Sequence, residues 1–393
     1  MFLLNFSLVG IFNMQDRQIL TLISVLLILT GCRNLKLRNF PDDLEPVHHA
    51  FLTAQVNYNR NAVSLEELKP PLVSLWEQDY IFLPSRGLTS SGDVFFFSTG
   101  TGYIAMAHTS DGNLIGKKHL GKACAVPPTI YSGILYQTFE DGPSGLIAYD
   151  LTAGKILWRI PKSITRASPV VSDKKVFLLS SSGRISCYNY LTGDLIWDKA
   201  VDTQAVNSPA FHENVLITAG LHGKVTALEY TSGIVLWENS IPDAILADPV
   251  IYQDRIYIVT YHGDLNILDL KSGALLRNLG FKTPFYYAPV IDEGMIFLPF
   301  SNGELLAINR QSLEINWRFQ SEGPWADSPL ITPNFIYAPN LDENFYILDK
   351  KSGLLLQKVK LNGRARSTPV LIDNKIIMTC ENNNVIAYVE DHQ

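Results

Sequence analysis

A proline opening a short apolar run recurs at Pro128, Pro169, Pro209, Pro249, Pro289, Pro329 and Pro369, and after a first interval of 41 residues every spacing is 40. Leu88 holds the same place one unit earlier. A chain that returns one side-chain pattern at a fixed period of this length repeats a single supersecondary unit, and its copies must stack or close into a ring. The unit is legible residue by residue. A second apolar run follows the first, as in Val176-Phe177-Leu178-Leu179 and Ile256-Tyr257-Ile258-Val259. A third ends in an acidic or amide residue, as in Ala148-Tyr149-Asp150, Ala227-Leu228-Glu229 and Ile347-Leu348-Asp349. A turn glycine comes next at Gly112, Gly154, Gly193, Gly233, Gly273 and Gly353, with Leu313 in its place in the sixth unit. A last run carries Trp158, Trp197, Trp237 or Trp317 four residues past the turn position.

Short runs rich in Val, Ile, Tyr and Phe, separated by Gly, Asn, Asp and Ser, read as strands joined by hairpins. Four strands per unit make a propeller blade. The expected fold is therefore all-β, an eight-bladed propeller of four-stranded antiparallel blades. The proline strand and the third strand each occur eight times, but the Trp-type strand follows only seven of them. The missing copy stands at the other end, as Leu72-Val73-Ser74-Leu75-Trp76. This predicts that an N-terminal strand completes the last blade and covers an edge otherwise open to aggregation. The tryptophans, one per blade, are expected to pack between neighbouring blades.

Ahead of the repeats, Ile19 to Leu29 is apolar apart from Thr21 and Ser24, and Leu29-Thr30-Gly31-Cys32 follows. Eleven residues suit a signal-peptide core and are short for a bilayer span. The four residues resemble the lipobox of bacterial lipoproteins, which implies acylation of Cys32 after removal of residues 1–31, with Met1 or Met14 as the start. Arg33 after the cysteine implies, by the same resemblance, sorting to the outer membrane on its periplasmic face. Residues 32–70 read as the lipidated N-terminus and a polar tether, with a helix possible from His48 to Gln55, and 71–393 as the propeller.

The segment Ala148-Tyr149-Asp150-Leu151-Thr152-Ala153-Gly154-Lys155-Ile156-Leu157-Trp158 resembles the tryptophan-docking repeat of the pyrroloquinoline-quinone (PQQ) propeller superfamily. Within it, repeats, lipobox, length and blade number are similar to the BamB-like lipoproteins of outer-membrane β-barrel assembly. The resemblance implies a non-catalytic scaffold whose partner is a BamA-like barrel subunit and whose hold on the membrane is its lipid. That family carries an L-x-L-R-G-like segment before the proline strand of the fourth blade. Here Val201 to Pro209 has no arginine, while Ser163-Ile164-Thr165-Arg166-Ala167 stands one blade earlier.

Chemistry finds little foothold. Net charge is −6 with no basic block, which argues against nucleic acid. The four cysteines, Cys32, Cys124, Cys187 and Cys380, include no vicinal pair and no C-x-x-C. The vicinal disulfide implied by a quinoprotein dehydrogenase is therefore missing from the sequence, and no catalytic, cofactor or metal residue is assigned. His222 and His262 lie one repeat apart, but Ser182 and Asn302 fill the same slot, as a polar turn residue would. Repeated carboxylates are expected to cap turns. What varies between blades is the connection from the Trp strand to the next proline strand. One holds Arg159, Lys162, Ile164 and Arg166; others hold Phe285, Tyr286 and Tyr287, then Trp325, then Arg364 and Arg366. Aromatics with arginine anchor interfaces, so Ile164, Arg166, Phe285, Tyr286 and Trp325 are the expected partner contacts. The competing expectation is that the aromatics plug the channel or pack under their own loops. A carbohydrate-binding propeller and, less favoured, a PQQ-dependent oxidoreductase are the alternative functions.

Overall fold

A computed structural model describes residues 57–391 apart from 163, 202, 203 and 205. The signal peptide, Cys32 and the expected helix at His48 to Gln55 lie outside the described residues. Eight four-stranded antiparallel sheets form the blades, at 89–119, 129–161, 170–200, 210–240, 250–280, 290–320, 330–360 and 370–390. Blade 4 is typical, with strands Ala210–His212, Val215–Ala219, Lys224–Glu229 and Val235–Ser240 in order from the channel outward. Its inner three strands are buried almost throughout and its outermost alternates with solvent. Blades pack on both faces, so inner strands read as unbroken apolar runs and only the outer one shows a period of two. The core is accordingly divided among the blade boundaries. Val250, Tyr257 and Ile267 of blade 5, for example, share a cluster with Ile291, Leu298 and Leu306 of blade 6.

The ring closes as expected. Leu72–Asp79 pairs antiparallel with Asn384–Glu390, from Leu72 opposite Glu390 to Asp79 opposite Asn384, and is the outermost strand of blade 8. Each tryptophan of an outermost strand docks on the turn glycine of the next blade. A Cβ on Gly193 would lie 2.7 Å from the Trp158 ring, and one on Gly233 2.6 Å from Trp197. The indole N–H of Trp158 donates to Tyr190 O at 3.1 Å, and that of Trp197 to Tyr230 O at 3.1 Å. Trp76 repeats the arrangement across the closure, with its indole N–H on Thr109 O at 3.0 Å and its ring against Gly112. The repeated carboxylates and amides do cap their turns: Asp269 accepts from the Ser272 N–H at 2.8 Å and Asn309 from that of Ser312 at 2.9 Å.

Blade 7 carries Gln357 at the position that holds tryptophan in blades 2, 3, 4, 6 and 8. Its side chain accepts from the Leu72 N–H at 2.7 Å and donates to Leu72 O at 2.8 Å, clasping the start of the closing strand. Gln357→Leu removes both bonds from half-buried groups and should lower stability by about 1–3 kcal/mol. Urea unfolding reads this as a lower midpoint at unchanged slope; an unmoved midpoint would remove Gln357 from the closure.

The described part of the expected tether is not free. Residues 57–68 run across the channel, where the innermost strands turn into the second strands. The backbone N–H of Phe211 donates to Tyr58 O at 2.8 Å, that of Ile251 to Asn59 O at 3.0 Å, and that of Ile331 to Ala62 O at 2.9 Å. The Ile291 N–H donates to the Asn61 side chain at 2.9 Å. These four donors occupy one slot spaced by 40 residues, so the segment serves four consecutive blades at roughly one residue each. Buried innermost strands have an unpaired edge, and its N–H groups need partners. That need holds the segment in place.

Candidate functional site

The connections that enter each blade ring the opposite end of the channel, and their floor is polar. Several of the residues that precede the repeat prolines bond to a neighbouring blade. The Ser168 N–H donates to Ser208 Oγ at 3.0 Å and the Ser208 N–H to Asp248 Oδ1 at 2.7 Å. Further round, Ser328 Oγ donates to Ala288 O at 2.8 Å and Thr368 Oγ1 to Ser328 O at 2.9 Å. This gives the Ser/Asp/Thr-Pro pattern its reason. From the far side Arg60, fully buried, sends Nε to Pro209 O at 3.0 Å and Nη2 to Ser168 O at 3.2 Å. Its Nε lies 4.0 Å from the Asp248 carboxylate. Burial pulls the Arg60 pKa down while Asp248 opposes the shift, and burial pushes the Asp248 carboxyl up while Arg60 opposes it. Each group is the other's reason for staying charged.

Above this floor opens a funnel of about 1140 Å³, lined among others by Arg86, Glu140, Arg166, Asn207, Asp327 and Arg366. Arg166 of the expected contacts is here, its Nε 2.7 Å from Glu140. Ile164 is 45 % exposed and lines a separate groove with Ser182, Arg184 and Asp198. Tyr286 is 46 % exposed beside Tyr261, at a ring separation of 5.9 Å. A hydrogen bond with Tyr261 lifts its phenol above the ordinary pKa.

Phe285 and Trp325 are corrections. Phe285 is 1 % exposed and packs on Phe300 at 4.5 Å. Trp325 is 2 % exposed, donates its indole N–H to Glu304 O at 2.9 Å and abuts Tyr346. Both pack beneath their own connections, so neither offers a surface to a partner in this conformation. Of the five residues, then, Ile164, Arg166 and Tyr286 reach solvent, spread over different connections. His262 is held at a turn by Asp243, with Nδ1 at 2.6 Å. Among the described residues no group of three or more His, Cys, Asp or Glu side chains could hold a metal. Sequence reasoning passed over Arg60 and Arg86. Arg60 precedes the repeats, and Arg86 lies in the connection to the first blade, where Leu88 stands in place of the marking proline.

Ring, docking tryptophans and Gly turns define an eight-bladed PQQ-type propeller. The chain belongs to the family described as outer membrane protein assembly factor BamB, which matches residues 73–219, 206–278 and 221–390. A curated BamB from Kangiella koreensis is 37% identical over 70 residues, covering 18% of this chain and 17% of that protein. The crystal structure of BamB from Moraxella catarrhalis superimposes with a TM-score of 0.68 at 16% identity, covering 81% of this chain and 99% of that one. Quinohemoprotein alcohol dehydrogenase from Comamonas testosteroni superimposes at 0.75 with 12% identity, over 88% and 81% of the two chains. At such identities the solved structures speak to the fold.

Proposed function

We propose that the chain is a non-catalytic scaffold of outer-membrane β-barrel protein assembly, anchored through lipid on Cys32 at the periplasmic face of the outer membrane. Its partner is a BamA-like barrel subunit. The observation that carries this reading is the family match, which runs through all eight blades to residue 390. The geometry agrees with a scaffold's needs. The ring is fastened by its first strand, and Ile164, Arg166 and Tyr286 are displayed on connections that the repeat leaves free to vary. Affinity capture of the full chain from native membranes should recover a barrel subunit. Ile164→Asp with Arg166→Glu should reduce that recovery at least tenfold, and Cys32→Ser should move the chain to the soluble fraction. Wild-type capture with no barrel subunit would defeat the partner assignment.

The likeness to a quinohemoprotein dehydrogenase supports a second reading, as a redox propeller. Its cysteines weigh against it. Cys124, Cys187 and Cys380 are separately buried with no disulfide, and burial pushes each thiol up to about 12. Added PQQ that binds and supports dye reduction would favour it.

A further inference from the structure

We propose that the funnel is a blind anion-binding pocket in which Arg86 and Arg366 receive a carboxylate or phosphate group. Blindness comes from the floor, because residues 57–68 cross the far end and Arg60 is fully buried in the channel. The cationic character comes from what is left over when charges are paired. Arg60 faces Asp248 at 4.0 Å, and Arg166 holds Glu140 at 2.7 Å. Among the described residues, the guanidinium groups of Arg86 and Arg366 make no hydrogen bond and no ion pair, although both line the funnel. Arg366 Nε is buried without a partner, an unmet donor that a ligand oxygen would satisfy. The two cations are close enough to repel. Burial first, and then Arg86, draws the Arg366 pKa down.

Asp327, the remaining acid, already accepts from the Ser328 N–H at 2.8 Å and the Thr368 N–H at 3.1 Å. It therefore serves the ring more than the arginines. Guanidinium forks match planar or tetrahedral oxyanions with paired N–H donors. The two arginines come from the connections to blades 1 and 8, so only ring closure brings them together. A pocket of this size admits a peptide end or a small phosphorylated molecule.

The test uses the full chain in detergent, titrated calorimetrically with sodium phosphate and with a short peptide carrying a free or an amidated C-terminus. Sodium chloride of equal ionic strength is the baseline. Binding of phosphate, or of the peptide only when its carboxylate is free, identifies the source of the anion. Arg86→Gln with Arg366→Gln should weaken either at least tenfold, whereas Arg277→Gln on an outermost strand should change nothing. Neither arginine has a partner to lose, so the double variant should melt with the wild type in the absence of ligand. Phosphate and peptide both indistinguishable from chloride, or a double variant binding within twofold of wild type, would overturn the proposal. That failure would leave the scaffold reading standing, since it rests on the family match.

Discussion

Arg60→Met destabilises the chain by about 3–5 kcal/mol, the cost expected when one member of a buried charged pair is removed. The side chain is 0 % exposed and its loss strips donors from Pro209 O and Ser168 O as well as the countercharge of Asp248. Methionine keeps much of the volume, so the deficit is electrostatic. The effect has a local signature. Amides of Phe211, Ile251 and Ile331 bond to the backbone of residues 58–62, and native-state hydrogen exchange at all three should accelerate by about 10²-fold to a few times 10³-fold, since 1.4 kcal/mol is a factor of ten. The pH dependence has a definite sign. Burial already raises the Asp248 pKa above its ordinary 3.8, and without Arg60 it rises further. A group whose folded pKa is raised takes up its proton in the folded state first, so lowering the pH through that value discharges the buried carboxyl. The deficit of Arg60→Met should therefore be largest at neutral pH and shrink toward 3.8. Asp248→Asn added to Arg60→Met should recover part of the loss at neutral pH. Unchanged exchange at the three amides would show that the segment is not held by Arg60.

Why this segment was illegible from sequence follows from how it binds. Blades recur in register because each buries the same side chains at the same depth, and that repetition wrote itself into spacing. Residues 57–68 meet the propeller through backbone and amide bonds to one slot per blade, which demands no apolar period. Asn57-Tyr58-Asn59-Arg60-Asn61 consequently reads as a polar tether. The partner contacts were half legible for a related reason. The sequence shows which connections vary, but exposure in a connection is decided by neighbouring loops. Phe300 covers Phe285 and Tyr346 covers Trp325, whereas Tyr286, next to Phe285 in the chain, stands in solvent. The closing strand, by contrast, was readable from Leu72 to Trp76, because Trp76 obeys the docking rule of blades 2, 3, 4 and 6, whereas its continuation to Asp79 carries no such mark.

That rule makes a quantitative claim about coupling. Trp158 is 8 % exposed, and Trp158→Ala should cost about 3–5 kcal/mol. Gly193 stands at φ +74° with its missing Cβ 2.7 Å from the Trp158 ring. Gly193→Ala should cost about 1–2 kcal/mol for the left-handed backbone, plus a displacement of the indole that breaks its bond to Tyr190 O. With Trp158 already truncated the displacement term vanishes. The double variant should therefore be more stable than the sum of the singles by about 0.5–3 kcal/mol, as read by urea denaturation of all four proteins. The sixth blade carries out the same experiment naturally. Arg277 replaces tryptophan on blade 5, opposite Ile267, and the turn it would have covered holds Leu313 at φ +62°. With no indole to admit, the slot tolerates a side chain, and Leu313 packs on the blade 5–6 cluster instead. Arg277→Trp alone should then destabilise the protein by colliding with Leu313, and Leu313→Gly should rescue it. Strict additivity in both cycles would mean that tryptophan and glycine are merely repeated together, and that the joints between blades are held by something else.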